Sequence, residues 1–214
     1  MDTFDDSLQE LPDEISRLQV KAPLVLSTPL QIGQAEKAKE LLKGQIAGIF
    51  SGATMHTPMN VTTLLADSVI SIGGESTIGL GKAISIRTRL PHILYSDYIF
   101  FREMTPILSE TANGLKKTCS EPKILPGTVI YDVDLTMTSP VPMSATSGPR
   151  FFTRATRTQS STWALEGIRA LASSLPEIIE KPSSQSARSK ALYGAWLCGT
   201  CLGSVDMSFR SSPH

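Results

Sequence analysis

The chain has 214 residues, of which 41% are hydrophobic, and its 20 basic residues balance its 20 acidic ones. A neutral chain produces no long-range field for DNA or an anionic membrane, so the charge argues against nucleic acid and membrane as partners. No apolar run approaches the roughly 20 residues that a membrane-spanning helix needs. The acidic N-terminus and the small number of cysteines, three, predict a cytoplasmic protein without a disulfide framework.

Along the first two thirds of the chain, short apolar runs alternate with segments of helical spacing. Helices are predicted over residues 6–18 and 33–43, and a third follows a glycine-rich turn and runs to about Thr88. Strands are predicted over residues 23–27, 46–50, 68–72, 92–95 and 128–131. This alternation predicts an α/β fold, with a parallel sheet covered by helices on both faces.

The pattern changes after about Gly148, where two long segments of helical period follow one another. They span residues 162–175 and 187–203, and a polar stretch separates them. We therefore predict an α/β nucleotide-binding domain over residues 1–140 and an α-helical domain over residues 141–214.

The strongest chemical signal is the glycine-rich turn that starts at Gly73 and Gly74, directly after an apolar strand and directly before a helix. Such a turn lets backbone N–H groups approach a pyrophosphate, and the helix dipole favours the negative charge. Ser76 and Thr77 are expected to cap the helix or to donate their hydroxyls to phosphate. The spacing fits neither the Rossmann pattern nor a Walker P-loop, and a tight turn without a ligand remains the alternative.

The same turn continues as Gly79-Leu80-Gly81-Lys82-Ala83, and the whole run resembles the iron-type alcohol dehydrogenase and maleylacetate reductase family. Further blocks with this resemblance lie at residues 24–29, 55–58, 103–108, 122–126, 129–136 and 191–203. The resemblance implies a dehydroquinate synthase-like fold, a parallel-sheet nucleotide-binding domain followed by an α-helical domain. It also implies an NADH- or NADPH-dependent reduction of maleylacetate to 3-oxoadipate, in the catabolism of aromatic compounds.

The resemblance also assigns roles to particular residues. Gly73, Gly74, Ser76 and Thr77 would hold the cofactor pyrophosphate, Lys116 would reach its ribose or phosphate, and His56 would lie on its adenosine side. The alternatives are a solvated loop lysine at position 116 and a loop histidine at position 56 that caps the following helix. The substrate would be a small keto acid, and a homodimer is compatible with the family. Some family members bind iron or zinc through ligands that follow a block resembling residues 144–148. In this chain residues 149–158 follow that block, and they contain no His, Asp or Glu.

Other departures from the family bear on activity. Glu75 replaces the third glycine of the turn, where a carboxylate would repel a pyrophosphate and resist a positive φ. Bulky residues over 96–102 replace a small-residue segment near the nicotinamide end. The α-helical domain is expected to be incomplete, which would leave apolar faces uncovered around Trp163, Leu171, Leu192 and Trp196. The catalytic residues are not identified, and two hypotheses remain: an active reductase, or an inactive remnant that serves only as a nucleotide-binding or oligomerisation domain.

Two smaller features resemble reactive sites. Cys198 and Cys201 have redox spacing but lie in an apolar helical run, which favours buried structural thiols. Asp132 and Asp134 follow a strand and could be mistaken for paired catalytic acids. We assign them to the turn that leads into the helical part of the chain.

Overall fold

The computed structural model describes residues 10–53, 66–96, 102–112, 115–137, 141–142 and 162–204. Its strands are β1 (Pro23–Leu26), β2 (Gly48–Phe50), β3 (Ser68–Ile72), β4 (His92–Ser96), β5 (Ile107–Ala112), β6 (Leu115–Ser120) and β7 (Thr128–Tyr131). Its helices of at least five residues are α1 (Leu11–Arg17), α2 (Ile32–Leu41), α3 (Glu75–Thr88), α4 (Val133–Met137), α5 (Thr162–Glu180) and α6 (Gln185–Ser204).

Five strands form one sheet in the order β2-β1-β3-β4-β7, and all neighbouring pairs are parallel. The α/β fold with a parallel sheet predicted from the sequence is confirmed. The chain leaves β1 toward β2 on one side of the sheet, whereas it leaves β3 toward β4 on the other. The order therefore reverses between β1 and β3, and in sheets of this kind ligands bind outside the carboxyl ends of the strands at that point.

Helices cover both faces of the sheet, as the sequence predicted. On one face, apolar residues of the strands form a buried cluster with α1 and α2, with the members Leu11, Val25, Ala35, Ala38, Leu42, Ile70, Ile72, Ile93, Tyr95, Ile130 and Leu135. On the other face, a second cluster joins the strands to α3, with the members Leu24, Leu26, Ala53, Val69, Leu80 and Ile84. Successive residues of β1 alternate between the clusters because strand side chains point to opposite faces in turn.

An antiparallel hairpin of β5 and β6, which was not predicted from the sequence, is separate from the main sheet. Leu108 packs with Ala83 of α3 in a small buried cluster. At the exposed edge, Arg87 near the end of α3 forms an ion pair with Glu110 at 2.7 Å. The hairpin thus lies against α3 and covers it from the side opposite the sheet.

The two long helices α5 and α6 pack against each other, and both were predicted. Helix α5 continues to Glu180, five residues beyond its predicted end, although Pro176 lies inside it. A proline lacks the N–H that closes a helical turn, so the sequence favoured an earlier end. The helix continues because Leu175 and Ile178 are buried in the same apolar cluster, against α6. None of the described helices is long and apolar enough to cross a membrane.

The prediction that apolar residues of the two long helices lie uncovered is correct for two of the four residues named. Leu171 and Leu192 are buried, with 0% and 1% of their surface exposed, because each lies between α5 and α6. Trp163 and Trp196 remain 54% and 36% exposed, and their ring centroids lie 6.3 Å apart. The helix pair therefore covers Leu171 and Leu192, whereas Leu165 and Ile179 stay at the surface with the two neighbouring tryptophans.

Helix α6 also contacts the α/β part of the chain. The buried Arg188 side chain donates from its guanidinium to the Thr136 carbonyl, and Gln185 donates to Asp134 Oδ1 at 3.0 Å. Near the other end of α6, Gly203 lies so close to the Met104 carbonyl oxygen that a Cβ would come within 2.4 Å of it. These contacts cross residue 140, and the division into domains at that residue stays a prediction.

The close contact between α5 and α6 yields a test of this packing. A Cβ at Gly194 would lie 2.8 Å from the Gly167 carbonyl oxygen and 2.9 Å from Leu171 Cγ. We predict that Gly194→Ala lowers the free energy of unfolding by about 1–3 kcal/mol, because the helices must separate. Urea denaturation measures the change.

The matched control is Gly79→Ala in α3, where an added Cβ meets nothing within 4 Å. Its expected effect is a gain of about 0.5–1 kcal/mol from the better helix propensity of alanine. Equal effects of both substitutions would contradict the packing.

Candidate functional site

The glycine turn lies where the sheet order reverses. Strand β3 ends at Ile72, and Gly73 follows with a φ of +118°. Residues other than glycine rarely adopt this backbone conformation. The Gly73 N–H donates to the Tyr95 carbonyl at 3.0 Å, which ties the turn to β4. Gly74 is the N-cap of α3 in extended conformation. The predicted sequence of strand, glycine turn and helix is confirmed.

The first turn of α3 has the chemistry of an anion-binding site. It begins at Glu75, and the first intrahelical bond that closes it runs from the Ile78 N–H to the Gly74 carbonyl at 3.1 Å. The backbone N–H groups of such a first turn point beyond the helix end, where they add to the positive end of its dipole. An anionic group at the carboxyl end of β3 would meet these donors.

The two hydroxyl residues of the turn take different positions. Thr77 is buried, and its hydroxyl donates back to the Gly74 carbonyl at 2.8 Å. Ser76 is half-buried. Neither caps the helix, since the N-cap is Gly74 and no side chain bonds to the cap, so the capping role predicted for Ser76 and Thr77 is wrong. The Thr77 hydroxyl therefore stabilises the turn and not the helix cap.

Glu75 does not strain the turn. It has helical backbone, and it is absent from the described non-glycine residues with positive φ, which are Gln19, Lys43 and Arg89. The expected conflict with a positive φ is wrong because Gly73, not residue 75, takes that conformation. The Glu75 side chain is exposed. A carboxylate in the first turn stabilises the helix N-terminus, and because this one is exposed, salt screens its repulsion of a bound anion.

A second loop meets the turn from the carboxyl end of β1. Thr28 donates its hydroxyl proton to Gln31 Oε1 at 2.7 Å. The Gln31 side chain lies directly against Gly73, since a Cβ at Gly73 would come within 2.2 Å of Gln31 Oε1. Ser27 is fully buried beside them, and its Oγ has no hydrogen-bond partner among the described residues. These residues could not be assigned to the site from the sequence, because only the strand order reveals that β1 and β3 are neighbours.

The remaining predicted site residues are not brought to this turn by the described structure. His56 lies outside the described residues. The Lys116 backbone pairs with Thr111 in the β5–β6 hairpin, next to Glu110, which bonds to Arg87 in the last turn of α3. The glycine turn is at the opposite end of that helix. The roles of His56 and Lys116 stay predictions.

A buried polar cluster lies on the hairpin side of α3. The Lys82 ammonium, on a side chain only 2% exposed, donates to the Thr105 carbonyl at 2.7 Å. Tyr131 donates its hydroxyl proton to Glu103 Oε1 at 3.1 Å. Glu103 is fully buried, and its Oε2 has no hydrogen-bond partner within the described ranges. Burial raises the pKa of Glu103 to about 8, although the Tyr131 bond and the Lys82 charge oppose the shift.

A buried histidine lies on the sheet side of the same helix. His92 Nε2 is 2.8 Å from Ser71 Oγ, which also donates to the Thr77 carbonyl at 3.0 Å. Because the single Ser71 proton serves Thr77, His92 donates from Nε2. Burial, and then the charge of Lys82, lower the pKa of His92 to about 3, so the ring is neutral at physiological pH. The pair resembles a catalytic serine and histidine in distance only, because both side chains are buried in the core.

The aspartates and cysteines have structural roles. Asp132 Oδ1 accepts from the Asp134 N–H at 2.7 Å and its Oδ2 accepts the Tyr95 hydroxyl proton at 2.8 Å, so it starts α4 and joins it to β4. Cys198 and Cys201 are buried and unbridged, as predicted. Burial raises the pKa of Cys198 to about 12, which leaves its thiol protonated and unreactive.

No described set of residues fits a metal ion. Among the ranges that the structure describes, no three His, Cys, Asp or Glu side chains come together as metal ligands would. Residues 149–158, where the sequence lacks such ligands, lie outside those ranges.

The described fold is similar to the α/β architecture of solved iron-containing alcohol dehydrogenases. The iron-containing alcohol dehydrogenase from Corynebacterium glutamicum superposes with a TM-score of 0.85 at 31% identity, over 94% of this chain and 60% of that one. The sulfoacetaldehyde reductase from Bifidobacterium kashiwanohense, in complex with NAD⁺, shares the fold with a TM-score of 0.82 over 92% of this chain and 63% of that one, but only 16% identity. No protein-family model matches the chain.

Within this architecture the chain is similar in sequence to the maleylacetate reductases. It is 46% identical to the maleylacetate reductase of Rhizobium sp. (strain MTP-10005), over 92% of its own length and 61% of that protein. The crystal structure from that strain superposes with a TM-score of 0.87, at 44% identity, over 94% of this chain and 62% of that one. The chain thus spans about three fifths of the length of these relatives.

The raised pKa of Glu103 yields a prediction about stability. Between the ordinary carboxyl pKa of 4.5 and the folded value of about 8, the folded protein keeps a proton that the unfolded chain releases. The free energy of unfolding therefore falls as the pH rises through this window. We predict that Glu103→Gln, which cannot ionise, gains about 2–4 kcal/mol relative to the unchanged protein between pH 4.5 and pH 8.

Urea denaturation at pH 5, 6.5 and 8 measures this dependence. Glu110→Gln, on the hairpin edge, is the control. It should leave the dependence of the free energy of unfolding on pH unchanged, apart from the effect of losing the surface ion pair with Arg87. Parallel pH profiles for Glu103→Gln and the unchanged protein would show that the Glu103 carboxyl is ionised in the folded state.

Proposed function

We propose that this chain binds NADH or NADPH through the glycine turn and reduces maleylacetate to 3-oxoadipate. The observation that carries the proposal is the position of the turn: Gly73 and the first turn of α3 lie at the carboxyl ends of the strands where the sheet order reverses. Sheets of this class bind nucleotides there, and a helix N-terminus stabilises their phosphates. The 46% identity to a maleylacetate reductase supports the choice of substrate.

The residues of this chain would bind the cofactor and orient it toward the substrate. The amides of residues 74–77 would hold the cofactor diphosphate, with the Ser76 hydroxyl available beside them and Thr77 fixing the turn through the Gly74 carbonyl. When bound, the reduced nicotinamide supplies a hydride to the substrate, and the protein contributes position and exclusion of water. The proposal includes a small keto acid as substrate, a homodimer and a cytosolic location.

Nucleotide binding is tested by the melting temperature. We predict that NADH at about 100 times its dissociation constant stabilises the protein by about 2.7 kcal/mol, because it binds only the folded state. Gly73→Ala should weaken NADH at least about tenfold, since alanine at this positive φ is strained and its Cβ would displace Gln31. Gly33→Ala in α2 is the control, because an added Cβ there meets nothing within 4 Å.

Catalysis is tested separately. With maleylacetate and NADH, we expect the protein to consume one reduced cofactor for each substrate, at about 1–1000 turnovers per second. The absorbance of reduced nicotinamide follows the reaction, and heat-inactivated protein is the control. NADH binding without turnover would favour the second hypothesis, a non-catalytic nucleotide-binding domain. Absence of both binding and turnover would contradict the proposed function.

A further inference from the structure

We propose that Gln31 is a positioning residue that holds the glycine turn in the conformation that receives the diphosphate of a nucleotide. The inference deepens the proposed function and rests on it. Gln31 belongs to neither the turn nor the helix that follows it; it lies 42 positions earlier in the chain, at the start of α2. Three observations support its role: its contact with Gly73, its attachment to Thr28, and the position of the pair where the sheet order reverses.

The first observation is the contact between the Gln31 carboxamide and Gly73. A Cβ built on Gly73 would lie 2.2 Å from Gln31 Oε1 and 2.7 Å from both Cδ and Nε2. All three carboxamide positions are thus near the same Cα, so the flat group lies over the glycine. Glycine is therefore needed at position 73 for two reasons, its φ of +118° and the space that Gln31 occupies.

The second observation is that Thr28 forms hydrogen bonds with both the side chain and the backbone of Gln31. The Thr28 hydroxyl donates to Gln31 Oε1 at 2.7 Å, and the Gln31 N–H donates to the Thr28 carbonyl at 3.0 Å. Thr28 is itself restricted, because the following Pro29 confines it to the extended conformation that it has. The carboxamide is consequently held in one orientation before any ligand arrives.

The third observation is the position of this pair across the sheet reversal. Thr28 follows β1 and Gly73 follows β3, and these strands are paired up to Leu26 and Ser71. Ser27, which lies between the end of β1 and Thr28, is fully buried, and its N–H donates to the Phe50 carbonyl at 2.9 Å. The loop that holds Gln31 is therefore anchored in the sheet, and Gln31 connects that anchored loop to the turn.

These contacts have a consequence for ligand affinity. Glycine is the residue with the largest conformational freedom, so a turn that depends on Gly73 is ordered only if its neighbours confine it. An ordered turn keeps the amides of residues 74–77 converged, and a ligand then loses less free energy to ordering on binding. A neutral carboxamide also confines the turn without placing a charge beside a bound anion.

The test compares ADP-ribose, which contains the diphosphate, with adenosine, which does not. We expect Gln31→Ala to weaken ADP-ribose about tenfold through loss of the ordered turn. Gln31→Glu keeps the shape but adds a negative charge, and it should weaken ADP-ribose by more, with a strong dependence on salt. Adenosine affinity should stay within about twofold for both variants, because its binding needs no phosphate donors. Gln45→Ala, at an exposed position, is the matched control.

A purely structural role would move both ligands together, so the ratio of the two affinities, measured by ligand-observed NMR, is the deciding readout. Hydrogen exchange supplies a second one: the amides of residues 74–77 should exchange faster in ligand-free Gln31→Ala than in the unchanged protein. Unchanged ADP-ribose affinity in both Gln31 variants would overturn the positioning role while leaving the proposed function intact. Failure of the unchanged protein to bind ADP-ribose and NADH would overturn both.

Discussion

Helix α3 lies closer to the sheet than any side chain at position 81 would allow. A Cβ there would come within 2.2 Å of Ser71 Oγ and 2.3 Å of His92 Nε2, so Gly81 permits this approach. The approach has three results. It buries the bond between Ser71 and His92, it places the first turn of α3 at the carboxyl end of β3, and it presents Lys82 to the hairpin side. The candidate site depends on the second of these results.

Buried polar groups on the two sides of α3 respond to pH in opposite ways. His92 has a pKa of about 3, so its burial stabilises the fold above the ordinary histidine pKa of 6.5, and that contribution is lost as the pH falls toward 3. Glu103 has a pKa of about 8, so its contribution is lost as the pH rises from 4.5 toward 8. The two shifts together place the greatest stability of this region in the mildly acidic range. Lys82 lies between the two groups and lowers the pKa of each.

Much of the α/β part of the fold could be predicted from the sequence, because its central strands are short and mostly apolar. Strand β3 is buried at every residue and ends at a pair of glycines, so its bounds follow directly from the pattern. The hairpin was missed because charged residues such as Glu110 and Lys117 interrupt its apolar pattern. The extension of α5 past Pro176 depends on contacts with α6, which local sequence does not reveal.

The candidate site was predicted in part. The glycine turn could be recognised because its residues are adjacent in sequence. Gln31 could not, since its contact with Gly73 exists only because β1 and β3 pair in the sheet. The burial of Glu103 and Lys82 was equally hidden, because charged residues are ordinarily exposed. In general, the sequence reveals a site formed by one segment, whereas a site formed by several segments requires the strand order.

The central claim is that the turn after β3 binds the diphosphate of a nicotinamide nucleotide. The most direct measurement is a titration of isotope-labelled protein with NADH, followed through the backbone amide signals in a two-dimensional NMR spectrum. We predict that the largest shifts fall on the amides of residues 73–77, with those of the half-buried Glu110 and the exposed Lys117 in the hairpin unchanged. Binding of NADH with the signals of residues 73–77 unmoved would contradict it.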